Sequence, residues 1–511
     1  MKYTIFTPCE PSFLDVSALL CVLESCVNLH KEGHEITIIN CNGDIPLGCC
    51  YNRSHNKWVC KNCRRYKNAL LKLLPSDIQI IPLSKYASHI IGNYHYEYNS
   101  VEEIKKCEYK NVEIGYCCLS AYIFLSRNLY PKIDTTFKSF FDLLMCQSCQ
   151  YTDMIEAAIE DTNPDVLGCF NDRFVYCRPV VNIAQNRKMD YICFEWWHRM
   201  DGDSAVATYE NVEVHDLDNR YQLLLEMWED DSLPIEEKIK SAESFFHKRR
   251  NSIYSGDKLY VKDQILGELP QQWDDKEQNI VILNSSEDEG ASLGKAYEKD
   301  KDENLFTTQY QGLKYIAEKY KDCENIHFYL RVHPNLKKVN YSYHHKLYEL
   351  EALANNFTVI PANSTISTYS LIDASDKVIV FGSTTGIEAA YWGKPVILLA
   401  NCIYKRLGFC YCPSNLDELN NLIMAKSLES KKNDGVLKYA YYFMNDYYPP
   451  YKTYKHKIKR IKFLKHDFEV FIYDIGIIKK LKLIFTQIIG KWHLFPAFHD
   501  YPKTEDPNAV L

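Results

Sequence analysis

The sequence predicts an α/β fold with two doubly wound domains that face a central cleft, followed by a basic, amphipathic helical tail. Strand and helix signals alternate in two separate stretches of the chain, a pattern typical of parallel sheets with crossover helices. A length of 511 residues allows two or three domains, and a hydrophobic content of 46% is enough to form a core in each. We therefore expect two domains of similar architecture joined by a linker.

The first stretch, residues 1–235, is predicted to form the N-terminal domain. Its strands are predicted at Lys2–Thr7, Glu35–Asn40, Asp77–Ile81, Asp165–Phe170 and Asp190–Phe194. Apolar residues at helical spacing predict helices at Phe13–Lys31, near Met154–Glu160 and at Phe174–Arg187. Within this domain, residues 41–63 form a cysteine-rich insertion with the composition of a loop.

A polar, charged span at 236–276 is predicted to link the domains. The second stretch, residues 277–430, is predicted to form the C-terminal domain. Its strands are predicted at Asn279–Asn284, Ile326–Val332, Phe357–Ile360, Lys377–Phe381 and Pro395–Leu399. Its helices are predicted at Phe306–Tyr320, Ile366–Ala374 and Ile387–Trp392. Ligands bind at the carboxyl ends of the strands in such domains, so we expect a site in the cleft.

The tail, residues 431–511, differs in composition from both domains. Between Tyr451 and Leu494, lysine and arginine residues interleave with isoleucine, leucine and phenylalanine, and only three acidic residues oppose them. One interpretation is a basic amphipathic helix on an anionic membrane surface. The alternative is a C-terminal helix that packs back on the N-terminal domain with a solvated basic face.

Charge and hydropathy exclude several classes of protein. A net charge of −7 does not suggest a nucleic-acid-binding protein. No apolar run approaches the ~18 residues of a transmembrane helix, and Pro8 and Glu10 interrupt the N-terminal segment too early for a signal peptide. We therefore expect a cytoplasmic protein, peripheral on the inner face of the cell membrane if the tail binds lipid.

Two motifs follow strands of the second domain and have the chemistry of a phosphate site. The loop Gly382-Ser383-Thr384-Thr385-Gly386 opens a helix, where backbone N–H groups and hydroxyls can bind a phosphate. Arg331 and His333 follow another strand and present hydrogen-bond donors. Glu388, one turn into the helix, could accept hydrogen bonds from a ribose. An ordinary turn with threonine caps and a structural histidine are the alternatives.

Cysteine usage is unusual for a cytoplasmic protein. Sixteen of the 20 cysteines lie at or before Cys193. Four of them, in the insertion, have a density that suits Zn²⁺ or an iron–sulfur cluster, with Cys50 as a substitute ligand. The predicted ligands are Cys41, Cys49, Cys60 and Cys63. A second group, Cys146 and Cys149 with Cys117 or Cys118, is a weaker alternative, and reduced thiols without a metal remain open for both.

The motifs at the strand ends resemble those of a known family. They are Arg331-Val332-His333-Pro334-Asn335, Ser383-Thr384-Thr385-Gly386-Ile387-Glu388-Ala389, Trp392-Gly393-Lys394-Pro395-Val396 and the loop Ser285-Ser286-Glu287-Asp288-Glu289. Together they look like the C-terminal domain of bacterial capsule polysaccharide biosynthesis proteins, which are GT-B-type glycosyltransferases related to Kdo transferases and polyol-phosphate polymerases. The resemblance covers residues 160–415.

The first half resembles the same family less closely. The matching segments are Phe170-Asn171-Asp172-Arg173-Phe174, Arg178-Pro179-Val180 and Phe194-Glu195. They look like the patterns Asn-Gly-Arg-Phe, Arg-x-Val and Glu-Arg-Gly. Asp172 replaces the glycine, and Trp196-Trp197 replaces Arg-Gly after the glutamate.

The resemblance implies two Rossmann-like domains of the GT-B type and a nucleotide-activated sugar as donor. The donor would be held by Ser285, Ser286, Glu289, Arg331, His333, Ser383, Thr384, Thr385, Gly386 and Glu388. Glu195 would be the general base and Asp172 the second choice, while Asn171, Arg173 and Arg178 would bind the acceptor or a sugar carboxylate. Trp196-Trp197-His198 would offer aromatic surface to a sugar. Ion pairs of Glu195, solvated arginines and buried tryptophans are the alternatives.

The leading interpretation is therefore an inverting glycosyltransferase that makes a bacterial surface polysaccharide on a glycan or lipid-linked acceptor. We expect metal-independent catalysis, because helix termini, His333 and Arg331 could meet the phosphate charge and the strand-end loops contain no Asp-x-Asp motif. A nucleotide-sugar epimerase or a polyol-phosphate transferase on the same fold is the alternative among enzymes. A non-catalytic glycan-binding or scaffold protein is the alternative outside them.

Overall fold

A computed structural model shows the fold. It describes residues 1–7, 17–45, 49, 57–92, 94–199, 204–253, 260, 264–299, 304–431, 433–445, 447–448, 450, 454–457, 460–463 and 466–469. Most of both predicted domains lies within these ranges. Of the predicted ligand and site residues, Cys50 lies outside them.

The N-terminal domain contains a sheet that is parallel except at one edge. Its strands are β1 (Lys2–Phe6), β2 (Glu35–Asn40), β3 (Gln79–Pro82), β4 (Val166–Phe170), β5 (Asp190–His198) and β6 (Ser204–Glu210). Over the described residues, they pair in the order β3-β2-β1-β4-β5-β6, and only β6 runs antiparallel to its neighbour. The chain reverses direction across the sheet between β1 and β4, so a crevice opens at their carboxyl ends.

Helices cover both faces of this sheet. They are α1 (Ser17–Lys31), α2 (Lys57–Leu71), α3 (Val101–Lys105), α4 (Ile114–Ser126), α5 (Thr135–Thr162), α6 (Arg178–Arg187), α7 (Leu217–Glu229) and α8 (Ile235–Arg250). The longest, α5, begins at Asp134, whose carboxylate accepts a hydrogen bond from the Phe137 N–H at 2.9 Å. Helix α8 occupies the first part of the span that the sequence predicts as a linker with helical parts.

The C-terminal domain contains a fully parallel sheet. Its strands are β7 (Gln278–Leu283), β8 (Ile326–Arg331), β9 (Phe357–Ile360), β10 (Lys377–Val380) and β11 (Val396–Leu398). Its helices are α9 (Lys295–Glu298), α10 (Gln309–Lys319), α11 (Ser342–Glu349), α12 (Thr368–Ala374), α13 (Thr385–Tyr391) and α14 (Leu416–Met424). The order β11-β10-β7-β8-β9 places the reversal between β7 and β10. All these strands are largely buried, which explains their continuous apolar runs.

The two domains with a cleft between them confirm the predicted fold. Two of the predicted strands, β2 and β9, match the observed bounds, and the others differ at their ends, by up to four residues in β5. Neither α4 nor β6 was predicted. Helix α4 is buried almost all round, so its sequence has no polar face that would show a helical period.

The cysteine-rich insertion is partly helical, which corrects its prediction as a loop. Helix α2 places Cys60 and Cys63 one turn apart, and Lys67 and Leu70 continue the same face towards the core. Cysteine behaves as a small apolar residue in such a position. The spacing that suggested a pair of metal ligands is therefore the spacing of an amphipathic helix.

The predicted helical tail is also corrected in part. Helix α15 (Gly435–Phe443) precedes the basic segment and packs against α7 and α8. Beyond it lies an antiparallel sheet, not a helix, of β12 (Tyr454–Lys457), β13 (Arg460–Phe463) and β14 (His466–Glu469). The sequence Arg460-Ile461-Lys462-Phe463 alternates polar and apolar residues, as strands do. Residues 470–511 lie outside the described part of the chain.

A helix that crosses a bilayer must be long and predominantly apolar. None of the helices in the described part of the chain combines these two properties.

Candidate functional site

A cavity of about 1410 Å³ lies between the two domains. On the C-terminal side it is lined by the loops that follow β7, β8, β10 and β11. On the N-terminal side it is lined by residues of α3, α4 and α7 and by the segment before α7. The cavity thus lies where a doubly wound sheet binds ligands, at the reversal between β7 and β10.

The loop after β10 has the features of an anion-binding turn. Ser383, Thr384 and Thr385 line the cavity, and the Ser383 carbonyl accepts a hydrogen bond from the Tyr404 hydroxyl at 2.8 Å. Gly382 has a φ of +78°, which side-chain-bearing residues rarely adopt. A Cβ on Gly386 would approach Val380 to 3.0 Å, so glycine allows the helix to pack closely on the strand. The predicted role of these residues in donor binding stays a prediction.

The loop after β8 presents His333 to the same cavity. Its ring Nδ1 accepts a hydrogen bond from the backbone N–H of Asn335 at 3.2 Å. The backbone N–H of His333 donates to Asn284 Oδ1 at 2.8 Å. Because Nδ1 is an acceptor, the neutral ring carries its hydrogen on Nε2. His333 is therefore set as a hydrogen-bond donor at the cavity wall, as a phosphate ligand would need.

Arg331, at the end of β8, is buried and lacks a counter-ion among the described residues. Its guanidinium donates to the carbonyls of Val332 at 3.2 Å, Ser364 at 3.2 Å and Pro361. Burial lowers the pKa of Arg331 to about 10, and no carboxylate within the described ranges opposes that effect. A positive charge in this position favours an anionic ligand in the cavity that Arg331 lines.

Glu388 lies at the cavity wall but is held by two partners. Its Oε1 accepts a hydrogen bond from Arg249 Nε at 2.9 Å, and its Oε2 accepts one from the Tyr369 hydroxyl. The side chain is almost completely buried. Arg249 belongs to α8, so this carboxylate also joins the helix between the domains to the C-terminal sheet. A ribose would have to share oxygens that already accept hydrogen bonds.

The loop after β7 connects the domains as well as lining the cavity. Arg127, at the end of α4, pairs with Asp288 at 2.7 Å and donates to Ser286 Oγ at 3.0 Å. Ser285 is fixed by Gln309, which donates to its Oγ at 2.7 Å. The predicted donor ligand Glu289 accepts a hydrogen bond from Asn335 at 2.6 Å. Ser285, Ser286 and Glu289 therefore all line the cavity, and each already accepts a hydrogen bond from a residue outside the loop.

A histidine that the sequence analysis did not select faces the cavity from the N-terminal domain. His215 lies just before α7 and lines the cavity, and its Nδ1 is hydrogen bonded to Asp172 Oδ1. The backbone N–H of His215 donates to Asp172 Oδ2 at 2.9 Å. Burial alone would raise the pKa of Asp172, but the charge and hydrogen bonds of His215, with the charge of Arg178, lower it to about 2.

An ionised Asp172 fixes the orientation of the His215 ring. The carboxylate accepts a hydrogen bond from Nδ1–H, so the neutral ring keeps a lone pair on Nε2. Asp172 itself is fully buried and does not line the cavity. The pair therefore has the geometry of a general base supported by a carboxylate, with His215 as the group that can reach a ligand.

Glu195, the predicted base, lies behind this pair. Its Oε2 accepts a hydrogen bond from Asn171 Nδ2, and its Oε1 accepts the Trp196 N–H at 2.9 Å. Burial raises the pKa of Glu195 above its usual range. Asn171 has a φ of +65° and accepts the Asp172 N–H at 2.9 Å, so it shapes the turn after β4. Neither Glu195 nor Asn171 lines the cavity.

The two predicted acceptor arginines lie in different environments. Arg178 is fully buried, where it pairs with Glu213 at 2.6 Å and donates to the Leu293 carbonyl of the other domain at 2.5 Å. Arg173 is partly exposed and stacks on the Phe174 ring, with 4.4 Å between the guanidinium carbon and the ring centroid. Arg178 and Arg173 both lie outside the residues that line the cavity.

Arg220, also not selected from the sequence, lines the N-terminal wall of the cavity. Its Nε donates to the Tyr442 hydroxyl at 3.5 Å, and the guanidinium lies 6.0 Å from the Tyr442 ring centroid. Within the described residues no carboxylate lies within ion-pair distance of it, and the groups that raise its pKa are tyrosines, with Tyr442 first. Arg220 is a second cation available to an anionic ligand.

The aromatic pair after Glu195 is largely buried between elements of the N-terminal side. Trp197 packs edge to face on Tyr442 and Tyr448, with ring centroids 5.3 and 5.2 Å apart. Trp196 is partly buried in the opposite layer of the sheet. Neither ring lines the cavity, which agrees with the alternative of burial stated above.

The predicted metal site is not found. In the described part of the chain, no three or more cysteine, histidine, aspartate or glutamate side chains are grouped to hold a metal ion. This applies to Cys41, Cys49, Cys60 and Cys63 and to the second cysteine group. Burial raises the pKa of the Cys63 thiol, and its three neighbouring cysteines add to that shift.

Comparison with models of known protein families finds one match, in the C-terminal half of the chain. Residues 245–421 match the family model described as capsule polysaccharide biosynthesis protein. Comparison of the sequence with curated proteins finds no match.

Solved structures with similar architecture include two Kdo transferases from Thermosulfurimonas dismutans KpsC. The beta Kdo 2,7 transferase is 14% identical, with a TM-score of 0.31, over 56% of this chain and 79% of that one. The beta Kdo 2,4 transferase is 14% identical, with a TM-score of 0.33, over 54% of this chain and 79% of that one. UDP-GlcNAc 2-epimerase from Neisseria meningitidis, bound to UDP-GlcNAc, is 12% identical, with a TM-score of 0.23, over 96% and 100%.

At these TM-scores the assignment of the fold rests on the two sheets and the cleft between them. The family match covers the strand-end motifs of the C-terminal domain that suggested the resemblance. Over residues 245–421 the chain therefore resembles the capsule polysaccharide biosynthesis proteins, and the resemblance predicted from its motifs is confirmed.

Proposed function

We propose that the protein is a glycosyltransferase that moves a sugar from a nucleotide-activated donor to a glycan or lipid-linked acceptor in surface polysaccharide synthesis. The main support is the interdomain cavity, in which one wall offers cations and a hydroxyl-rich turn and the other offers His215. Its volume of about 1410 Å³ is larger than a typical small-ligand pocket and can hold a donor together with the end of an acceptor. The family match over residues 245–421 supports the same class of reaction.

In this proposal the C-terminal wall binds the donor phosphate. His333 donates from Nε2, the turn at Ser383–Thr385 donates from its hydroxyls and backbone, and Arg331 supplies positive charge. Arg220 approaches from the other domain, so the anion would be held from both sides of the cleft. These groups would also stabilise the charge on the leaving nucleotide, which is the basis for the predicted metal-independent reaction.

The N-terminal wall activates the acceptor. His215 Nε2 accepts the proton of the acceptor hydroxyl while that oxygen forms a bond to the anomeric carbon of the donor. The bond between the anomeric carbon and the donor phosphate breaks, and its electron pair leaves with the nucleotide. A single displacement of this kind inverts the anomeric centre. Asp172 holds the imidazole and stabilises the imidazolium that forms, and Glu195 with Asn171 supports the turn that carries Asp172.

Calorimetric titration of the purified protein with CMP, CDP, UDP, GDP and dTDP tests the donor site. We expect one nucleotide to bind, and His333→Ala and Arg220→Met each to weaken that binding about 10-fold, because each removes one charge-assisted or directed hydrogen bond. Glu388→Gln separates its two roles. If Glu388 binds the ribose, Glu388→Gln should weaken nucleotide binding. If the role of this carboxylate is purely structural, the substitution should mainly lower the thermal midpoint of unfolding.

His345→Ala is the matched control, since His345 is an exposed histidine on α11 outside the cavity. Its affinity should equal that of the wild type. If the folded wild-type protein binds none of the five nucleotides, the donor assignment is wrong and a non-catalytic glycan-binding role becomes the better proposal.

We extend the proposal to the membrane because the tail is basic. Residues 451–494 carry eleven lysines or arginines against three acidic residues, and juxtamembrane basic residues bind anionic lipid at about 1 kcal/mol each. We expect the protein to sediment with phosphatidylglycerol vesicles at low salt and to be released at about 0.5 M salt. A chain with Lys479, Lys480 and Lys482 replaced by glutamine should bind less. Equal sedimentation with neutral vesicles would contradict an electrostatic contact.

A further inference from the structure

A second, smaller cavity of about 210 Å³ adjoins the cleft. It lies between the loop after β7, the start of α10 and one face of α11, and it shares Tyr130, Asn284, Ser285 and Glu287 with the lining of the large cavity. The turn at Ser383–Thr385, by contrast, follows β10 on the other side of β7. The small cavity is thus an extension of the cleft on the side of β7 opposite to the turn at Ser383–Thr385.

One wall of this cavity contains a buried ring nitrogen without a hydrogen-bond partner. His344 is 3% exposed and lines the cavity, and its Nδ1 has no hydrogen-bond partner among the described residues. Its other nitrogen, Nε2, lies 3.3 Å from the Tyr348 hydroxyl. In either tautomer of the neutral ring, Nδ1 keeps one unused hydrogen-bonding function, and a sugar hydroxyl, which both donates and accepts, can satisfy it.

The burial of His344 also sets its charge state. Burial, with smaller contributions from His345 and Arg127, lowers the pKa of His344 to about 4, so the ring is neutral at pH 7. A buried polar atom without a partner destabilises a protein, so a ligand hydroxyl at this point would be bound favourably.

The remaining lining suits a sugar ring. Lys346 is buried in the wall, and the N-terminus of α10 begins at Thr308, whose hydroxyl accepts the Gln311 N–H at 3.2 Å. Tyr130 and Tyr343 form an aromatic corner, with ring centroids 5.6 Å apart. Glu287 adds a carboxylate acceptor to the same wall. Donors, acceptors and aromatic faces around a small volume are what a pyranose with several hydroxyls requires.

We propose that this small cavity binds one sugar unit of the acceptor glycan, with His344 Nδ1 forming a hydrogen bond to a sugar hydroxyl. The proposal rests on the proposed transferase function, because it assigns the cavity to the acceptor. The volume of about 210 Å³ suits a single pyranose. A longer acceptor would place this unit next to the one that meets His215, so the cavity would select acceptors by the unit adjacent to the reacting sugar.

Saturation-transfer NMR on the full-length protein with methyl β-D-glucoside and methyl β-D-glucuronide tests this proposal. We expect at least one glycoside to show saturation transfer with a dissociation constant in the millimolar range, and His344→Phe to reduce the effect at least 5-fold. The phenylalanine keeps the ring volume and removes the N–H. His345→Phe, on the neighbouring exposed position, should leave the effect unchanged.

Lys346→Met is the second variant, in case His344→Phe does not fold. Lys346→Met should weaken binding of the glucuronide more than binding of the glucoside if the cavity prefers a carboxylate. It should weaken binding of both glycosides equally if the cavity prefers hydroxyls. The absence of saturation transfer from both glycosides, or equal transfer in His344→Phe and the wild type, overturns the proposal. Nucleotide affinity measured on the same samples separates the two assignments, since loss of nucleotide binding alone rejects the donor site and not the sugar cavity.

Discussion

Replacing His215 with alanine is expected to lower kcat for sugar transfer by about 10³-fold, within the range that general-base catalysis contributes. The reason is geometric. His215 is a titratable group on the N-terminal wall of the cavity, and the buried Asp172 carboxylate fixes its ring through Nδ1. Without the imidazole, no proton acceptor held in this way remains at that point of the wall. Initial rates with a saturating donor and a glycan acceptor would measure the change.

Asp172→Asn separates positioning from proton transfer. An amide can donate to Nδ1 and favour the other tautomer, in which Nε2 carries the hydrogen and cannot act as a base. We expect kcat to fall about 10²-fold while nucleotide affinity stays unchanged. In His215→Ala, the part of the pH dependence of kcat that comes from ionisation of the base should disappear.

Glu195→Gln is the decisive comparison for the base. In our proposal it supports the turn at Asn171 and changes kcat less than 10-fold, because Glu195 lies outside the cavity lining. A loss of 10³-fold in Glu195→Gln together with near-normal activity in His215→Ala would reverse the assignment and restore Glu195 as the base.

The donor side of the site could be predicted because each of its motifs is local. Arg331 and His333 follow one buried strand, and Ser383–Thr385 follows another, so the parallel sheet brings both to the same edge. A short apolar strand followed by a glycine or a proline is visible in a single sequence. The predicted strands at Glu35–Asn40 and Phe357–Ile360 were correct to the residue for the same reason.

His215 could not be found in this way because its partner is 43 positions away in the chain. The contact depends on the antiparallel edge strand β6 and on residues 211–214, which connect it to His215. The one local signal is Asp216, whose carboxylate accepts the Asp218 and Asn219 N–H groups at the start of α7. A histidine just before such a cap lies at a helix N-terminus, but nothing in the sequence shows that the helix faces a cleft.

The cysteine pattern was misinterpreted for a different reason, because the same spacing has two physical explanations. A spacing of three residues between Cys60 and Cys63 suits a pair of metal ligands and equally suits one face of a helix. Density of cysteines does not decide between them, because buried reduced thiols pack as well as other small apolar groups. The helix α2 and the burial of its inner face decide it here.

Arg178→Met is expected to lower the free energy of unfolding by about 3–5 kcal/mol, the range found when one partner of a buried ion pair is removed. Arg178 is fully buried, with Glu213 at 2.6 Å and Glu113 at 3.7 Å. Its loss leaves the Glu213 carboxylate without this partner and removes the hydrogen bond to Leu293 across the domain interface. Urea unfolding followed by tryptophan fluorescence would measure the change.

A double variant and a surface control make this result specific. Arg178→Met with Glu213→Gln removes both charges of the closest pair, so it should recover part of the loss. Arg187→Met, on the same helix, removes a half-exposed arginine 3.5 Å from Glu156 and should cost less than about 1 kcal/mol. If Arg178→Met is as stable as Arg187→Met but loses acceptor binding, Arg178 is a substrate ligand, as its sequence motif predicts. A large loss of stability with nucleotide affinity retained instead identifies Arg178 as the residue that holds the 290–299 segment, and with it part of the cavity wall, against the N-terminal domain.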